Sequence, residues 1–145
     1  MNCRLALLPL SIAICLAAHA APPAETDAGR FLQRHLNAFV QNDLDAIVAD
    51  YAPDAVLVSA DQTYRGVDSI RGFFREFMRK FPRGKSTVEL DRSAFVGDLI
   101  YFTWHAATPV LDVPFATDTL VLKDGKILKQ TFGGVLRPVP HRPAH

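Results

Sequence analysis

The chain has 145 residues, 49% of them hydrophobic, with 16 Lys+Arg against 15 Asp+Glu and two cysteines. That length suits one folded core, and the charge balance gives no basic footprint for nucleic acid or an anionic membrane surface. Both cysteines, Cys3 and Cys15, lie in the first fifteen residues, so the rest of the chain has no thiol for a disulfide, nucleophile or cysteine metal site.

Arg4 is the only charge before Glu25, Leu5 to Ala18 is almost unbroken apolar sequence, and Ala18-His19-Ala20 places small residues before Ala21. A charged start, a short apolar run and an A-x-A site predict an export signal over residues 1–20 and a periplasmic or secreted protein. The apolar run is shorter than the about 20 residues of a membrane span. The rival readings are an uncleaved anchor and a lipoprotein signal ending at Cys15, where bulky Ile14 stands in place of the expected small residue. Cleavage removes both cysteines and Arg4, leaving 15 Lys+Arg against 15 Asp+Glu. Residues 21–25 then read as a spacer, 26–137 as one domain, and 138–145, with three prolines, as a flexible tail.

Thr26 or Asp27 can cap a first helix, along which Phe31, Leu32, Leu36, Phe39 and Val40 recur at helical spacing. Asn42-Asp43 breaks it. Leu44, Ile47, Val48 and Tyr51 predict a short second helix ended by Pro53, and Ala55 to Ser59 a strand. Asp61-Gln62 reads as a turn before Thr63-Tyr64. Ile70, Phe73, Phe74, Phe77, Met78 and Phe81 mark a third amphipathic helix from Val67 to Phe81, stopped by Pro82 and Gly84. Beyond Gly84 the period changes to two, in segments Lys85–Val96, Leu99–Thr108, Val113–Lys123 and Lys126–Leu136. Gly97-Asp98 and Asp124-Gly125 are hairpin signals between them. Helices followed by a run of hairpins predict an α+β fold with an antiparallel sheet covered by helices on one face.

Strand parity singles out the polar residues that face inward. Asp118 is in phase with Leu120 and Leu122, while Thr117, Thr119 and Lys123 take the other face. A carboxylate on an apolar face is costly unless paired or protonated, so Asp118 is the most unusual residue of the chain. The plain alternative is a structural hydrogen bond to a neighbouring element. His35 lies within the apolar stripe of the first helix, where a satisfied core histidine is the plainer reading. Gln130 shares a face with Leu128 and Phe132; Phe102 and Trp104 share one with Ile100, and His105 takes the outward parity. His35 and His105 have no ligand-like spacing, His141 and His145 sit in the tail, and there is no glycine-rich phosphate loop or Gly-x-Ser-x-Gly elbow. No metal and no cofactor is therefore expected.

Several stretches carry a resemblance: Gln33-Arg34-His35 leading to Asn42-Asp43-Leu44-Asp45-Ala46-Ile47-Val48, then Tyr51-Ala52-Pro53-Asp54-Ala55-Val56. Tyr64-Arg65-Gly66-Val67-Asp68-Ser69-Ile70-Arg71-Gly72-Phe73 follows, and then Asp118 with Lys123-Asp124-Gly125-Lys126-Ile127. In this order they resemble the nuclear-transport-factor-2-like superfamily, in particular its SnoaL-like and ketosteroid-isomerase-like branch. The resemblance implies a cone-shaped α+β barrel, a curved sheet wrapped round three helices, enclosing an apolar pocket and often dimerising through the sheet. It places Asp118 where the isomerases carry a protonated aspartic acid, a worked example of a carboxylic acid kept neutral by an apolar site. It places His35 at the oxyanion-hole tyrosine and Ser59 at the proton-shuttling aspartate. A serine hydroxyl is no base at neutral pH without help, which argues against a faithful copy of steroid isomerase chemistry.

The resemblance thus implies a His35–Asp118 pair acting as acid and base on a small, mostly apolar carbonyl-type ligand, by isomerisation, cyclisation or dehydration. Tyr51, Ser59, Tyr64, Phe74, Phe77, Phe102, Trp104 and Gln130 would shape the pocket. The alternative is a non-catalytic ligand-binding or dimerisation module. The cavity discriminates: about 300 Å³ or more with both residues at its floor supports ligand chemistry, and a cone packed solid by Trp104 and the phenylalanines supports the module. An export signal would also make a nuclear-transport role untenable.

Overall fold

The computed structural model describes residues 27–140. The export signal and the spacer lie outside the described residues, as does the end of the tail. The helices are α1 (Asp27–Val40), α2 (Leu44–Ala49) and α3 (Val67–Met78). The strands are β1 (Tyr51–Val58), β2 (Thr63–Arg65), β3 (Thr87–Val96), β4 (Leu99–Ala107), β5 (Leu111–Lys123) and β6 (Lys126–Pro138).

The periodic stripe of α1 buries Phe31, Leu32, His35 and Phe39. The helix gives way to Asn42, which adopts a left-handed φ of 56° and donates from Nδ2 to the Phe81 carbonyl at 2.7 Å. Asparagine is one of the few non-glycine residues that adopt this conformation readily, and here the bond to Phe81 holds it. Asp43 then caps α2, its Oδ1 accepting from the Ala46 amide at 2.9 Å.

The six strands form one curved sheet in the order β2-β1-β6-β5-β4-β3. Its edges, β2 and β3, are not paired to each other, so the sheet is open and not a closed barrel. The Asp124-Gly125 turn has φ 51° and 73°, the two positive values that let a two-residue hairpin follow the strand twist. Gly97-Asp98 is a second two-residue connection, joining β3 to β4 with Val96 opposite Leu99, but there only Gly97 has a positive φ, 58°.

Five expectations are corrected. The sheet is mixed, because β1 pairs parallel with β6. That pairing also shortens the second helix: α2 stops at Ala49, and the Ile127 amide donates to the Asp50 carbonyl at 2.8 Å, drawing the chain into β1 at Tyr51. Tyr51 is therefore a strand residue, and Pro53 lies inside β1 rather than before it, in the irregularity between Tyr51 and Val56 where no ladder amide is required. On β6 the pairing passes from Val121–Lys129 to Leu122–Ile127, skipping Leu128. This bulge turns Ile127, not Leu128, into the core. Finally, β6 continues through Pro138, which faces Leu111, and the Val139 amide donates to the Val110 carbonyl at 3.0 Å.

The helices cover one face of the sheet, and the core lies between, built on Ile47, Leu57, Ile70, Ile100, Leu120 and Ile127. β5 and β6 leave no room for a side chain at Gly134: a Cβ there would lie 2.9 Å from Cβ of Ala116 and 3.0 Å from the Phe115 carbonyl oxygen. Gly134→Ala is expected to destabilise the fold by about 1–3 kcal/mol, read from urea unfolding, since two paired strands would have to part.

Candidate active site

Cross-strand rows bring the inward polar groups together. Leu57, Gln130, Leu120 and Ile100 form one row across β1, β6, β5 and β4; Phe132, Asp118 and Phe102 form the next. Asp118 is thus flanked by two phenylalanines, with Gln130 and Trp104 as its diagonal neighbours. At that separation long side chains reach one another. Gln130 Nε2 donates to Asp118 Oδ1 at 2.7 Å, and Trp104 Nε1 donates to Asp118 Oδ2 at 2.8 Å. The Tyr51 hydroxyl donates in turn to Gln130 Oε1. Asp118 is only 5% exposed. Burial raises its pKa to about 6 against the pull of the two hydrogen bonds and the nearby His35. Tyr51 is driven well above its ordinary value by burial and by the carboxylates of Asp118 and Asp50.

His35 arrives from α1, with its ring stacked on Phe31 and edge-on to Tyr51. Its direct partner is Asp50, not Asp118: Nδ1 lies 2.9 Å from Asp50 Oδ2, and no hydrogen bond joins His35 to Asp118. Arg34 donates to the other oxygen of Asp50 at 2.8 Å, its guanidinium lying over the Phe31 ring. Burial alone would raise the Asp50 pKa, but the hydrogen bonds and charge of His35 and Arg34 outweigh it and hold the carboxyl below 3.8. An ionised Asp50 accepts the Nδ1 proton and orients the ring. Among the described residues every fully buried side-chain nitrogen or oxygen has a partner. Nε2 has no hydrogen-bond partner among the described residues, and His35 is one of the residues that line the inner cavity.

That cavity is lined by His35, Asp118, Phe74, Phe77, Phe102, Trp104 and Gln130, all expected from the sequence. Phe39, Phe73 and Phe132 also line it and were not expected. The centre of a water molecule can occupy about 40 Å³ of it, far below the 300 Å³ set as the mark for ligand chemistry. It is neither a drug-sized pocket nor a solid core; it holds a few waters or the end of a molecule. Ser59 and Tyr64 lie elsewhere, in an outer groove between α3 and β6, and Tyr51 stands behind Gln130. The Ser59 hydroxyl donates to the Gln62 carbonyl and accepts from the Asp61 and Gln62 amides, so it serves the β1–β2 turn.

Asp50 is the residue of the candidate site that sequence reasoning missed. One signal was present: an acid at the C-terminal end of α2, with no basic residue in the last turn, opposes the helix dipole. Such violations of a local rule mark sites held by tertiary structure.

Residues 32–130 match the SnoaL-like domain family, and the chain belongs to it. Its fold is shared by several solved structures. A candidate polyketide cyclase from Sinorhizobium meliloti is 21% identical with a TM-score of 0.60, over 71% of this chain and 93% of that one. A candidate ketosteroid isomerase from Kribbella flavida is 13% identical at TM-score 0.61, over 80% and 81%. An LEH-like epoxide hydrolase from M. tuberculosis is 19% identical at TM-score 0.58, over 73% and 80%. No curated protein matches the chain in sequence.

Proposed function

We propose that this is an exported, cofactor-free domain that binds the carbonyl end of a small, mostly apolar molecule and moves a proton on it. The observation that carries the reading is an apolar cavity lined by both His35, whose Nδ1 is held by Asp50, and a buried Asp118. His35, oriented by Asp50, is the base that takes a proton from the carbon next to the carbonyl. Asp118, in its protonated form, gives its proton to the carbonyl oxygen and so leaves a neutral enol. Return of the histidine proton to another carbon, with recovery of the Asp118 proton from the enol oxygen, completes an isomerisation. A cyclase, an isomerase and an epoxide hydrolase among the structural neighbours are compatible with such chemistry.

The test is exchange of α-hydrogens of small ketones and cyclic enones in D2O, followed by proton NMR. His35→Phe and Asp118→Asn are each expected to lower the catalysed rate by about a hundredfold or more. The wild-type rate should fall as pH rises through about 6, where Asp118 loses its proton. Equal rates for all three proteins would overturn the reading.

The small cavity favours a second reading, a non-catalytic binding or dimerisation module. The outer face of the sheet offers the surface for a homodimer, since Phe115 and its cross-strand partner Val135 are each 46% exposed. Ligand retained without any exchange would establish the module in place of the enzyme.

A further inference from the structure

The inner cavity and the outer groove share three residues, Phe73, Phe77 and Phe132. Their ring centroids lie 5.2 to 6.1 Å apart, so a single layer of mutually touching rings separates the two spaces. The groove is much the larger: water-sized centres fill about 580 Å³ of it against about 40 Å³ inside. One of its walls contains a glycine that the backbone does not require. Gly72 in α3 has no positive φ, and a Cβ there would meet nothing within 4 Å. A glycine inside a helix weakens it, and a close neighbour such as excuses Gly134 is absent. Here the missing side chain leaves open space beside α3; Gly133, paired with Thr117 on the outward parity of β6, lines the groove with its backbone. The rim carries Asp61, Glu76 and Lys80, charges of both signs, which select no ionic ligand.

We propose that the groove is the subsite for the body of an elongated amphiphile whose small polar head passes the three rings into the inner cavity. The head is a carbonyl or hydroxyl group of two or three heavy atoms, and the body is a neutral alkyl chain or flat hydrocarbon lying between Gly72 and Leu136. This assignment rests on the proposed binding function and adds to it the shape and class of the ligand. The two spaces have separate tasks. The small one selects the reacting end, and the large one supplies most of the binding area.

The probe is a series of 2-alkanones from butanone to 2-decanone. Saturation-transfer NMR gives affinity, and the fluorescence of Trp104, the single tryptophan of the chain, gives entry of the head. Trp104 lines the inner cavity and stacks on Phe132. Affinity is expected to rise with chain length by about two- to fourfold per methylene, with the Trp104 signal changing for every member that binds. Gly72→Leu fills the groove with a better helix former and should flatten this dependence, leaving 2-decanone little tighter than butanone, without a lower melting temperature. Should Gly72→Leu fold poorly, Leu136→Phe, on the inward parity of β6 and in the groove wall, narrows it from the other side and must give the same flattening. An unchanged chain-length dependence in the blocked, folded variant overturns the proposal, as does binding of long alkanones with no change at Trp104. Asp118→Asn separates this from the proton-transfer reading: loss of exchange with the chain-length dependence intact rejects nothing here, and exchange of butanone without any chain-length dependence rejects only the groove.

Discussion

Asp118→Asn is expected to stabilise the domain at pH 8, by up to about 3 kcal/mol, while making little difference at pH 4. The ordinary carboxyl value is 3.8 and the folded value about 6, so between these limits the folded state holds a proton that the unfolded state releases. Stability therefore falls as pH rises from 3.8 to 6, and the loss persists above. Asparagine carries no charge to desolvate. The Gln130 amide can turn to present its oxygen to the new side-chain amide and its nitrogen to the Tyr51 hydroxyl, so the network stays satisfied. Urea unfolding at several pH values checks this: the wild type should weaken across that window and the variant should not. A variant that is both more stable and less active would mark Asp118 as a group kept at the expense of stability.

Asp50→Ala is expected to act in the opposite sense, destabilising the domain by about 2–4 kcal/mol at neutral pH. His35 is 4% exposed and Asp50 7%, so removing the carboxylate leaves a buried imidazole N–H with no acceptor. Arg34 adds little, because its side chain is 61% exposed and water takes over its bond. The loss should shrink in a His35→Phe background, where no donor is orphaned, giving a coupling of about 1–3 kcal/mol in a double-mutant cycle. Because the Asp50 pKa is held below 3.8, its stabilisation is present above that value and disappears as pH falls through the folded value. Asp50 and Asp118 thus bend the stability curve in opposite directions on the acid side.

The parts of the site legible in the sequence are those that a strict period places. Asp118 and Gln130 lie on regular stretches of β5 and β6, and His35 on an uninterrupted helical stripe, so alternation and the 3.6-residue repeat suffice to turn them inward. Where the period breaks, legibility stops. The bulge at Leu128 hands its inward position to Ile127, and no local feature of Lys126-Ile127-Leu128 announces it. The α2–β1 junction has no loop, and its position depends on β6, which lies far along the chain, so Asp50 and Tyr51 could not be placed. The pairing of His35 with Asp50 rather than Asp118 follows from that junction. Cavity size was illegible for another reason: whether a ring of phenylalanines leaves 40 or 300 Å³ depends on rotamers, not on which residues face inward.

The parallel contact between β1 and β6 has a consequence for how the site comes into being. Arg34, His35, Asp50 and Tyr51 belong to the first three elements, whereas Trp104, Asp118 and Gln130 arrive on β4 to β6. A chain that ended at Pro109 would hold a histidine and its orienting carboxylate, with neither the facing acid nor the strand that fixes Asp50. Such long-range closure is slow, because the loop must be ordered before any contact rewards it. The candidate site is in this sense a product of the longest-range contacts of the fold, complete only where β6 lies against β1.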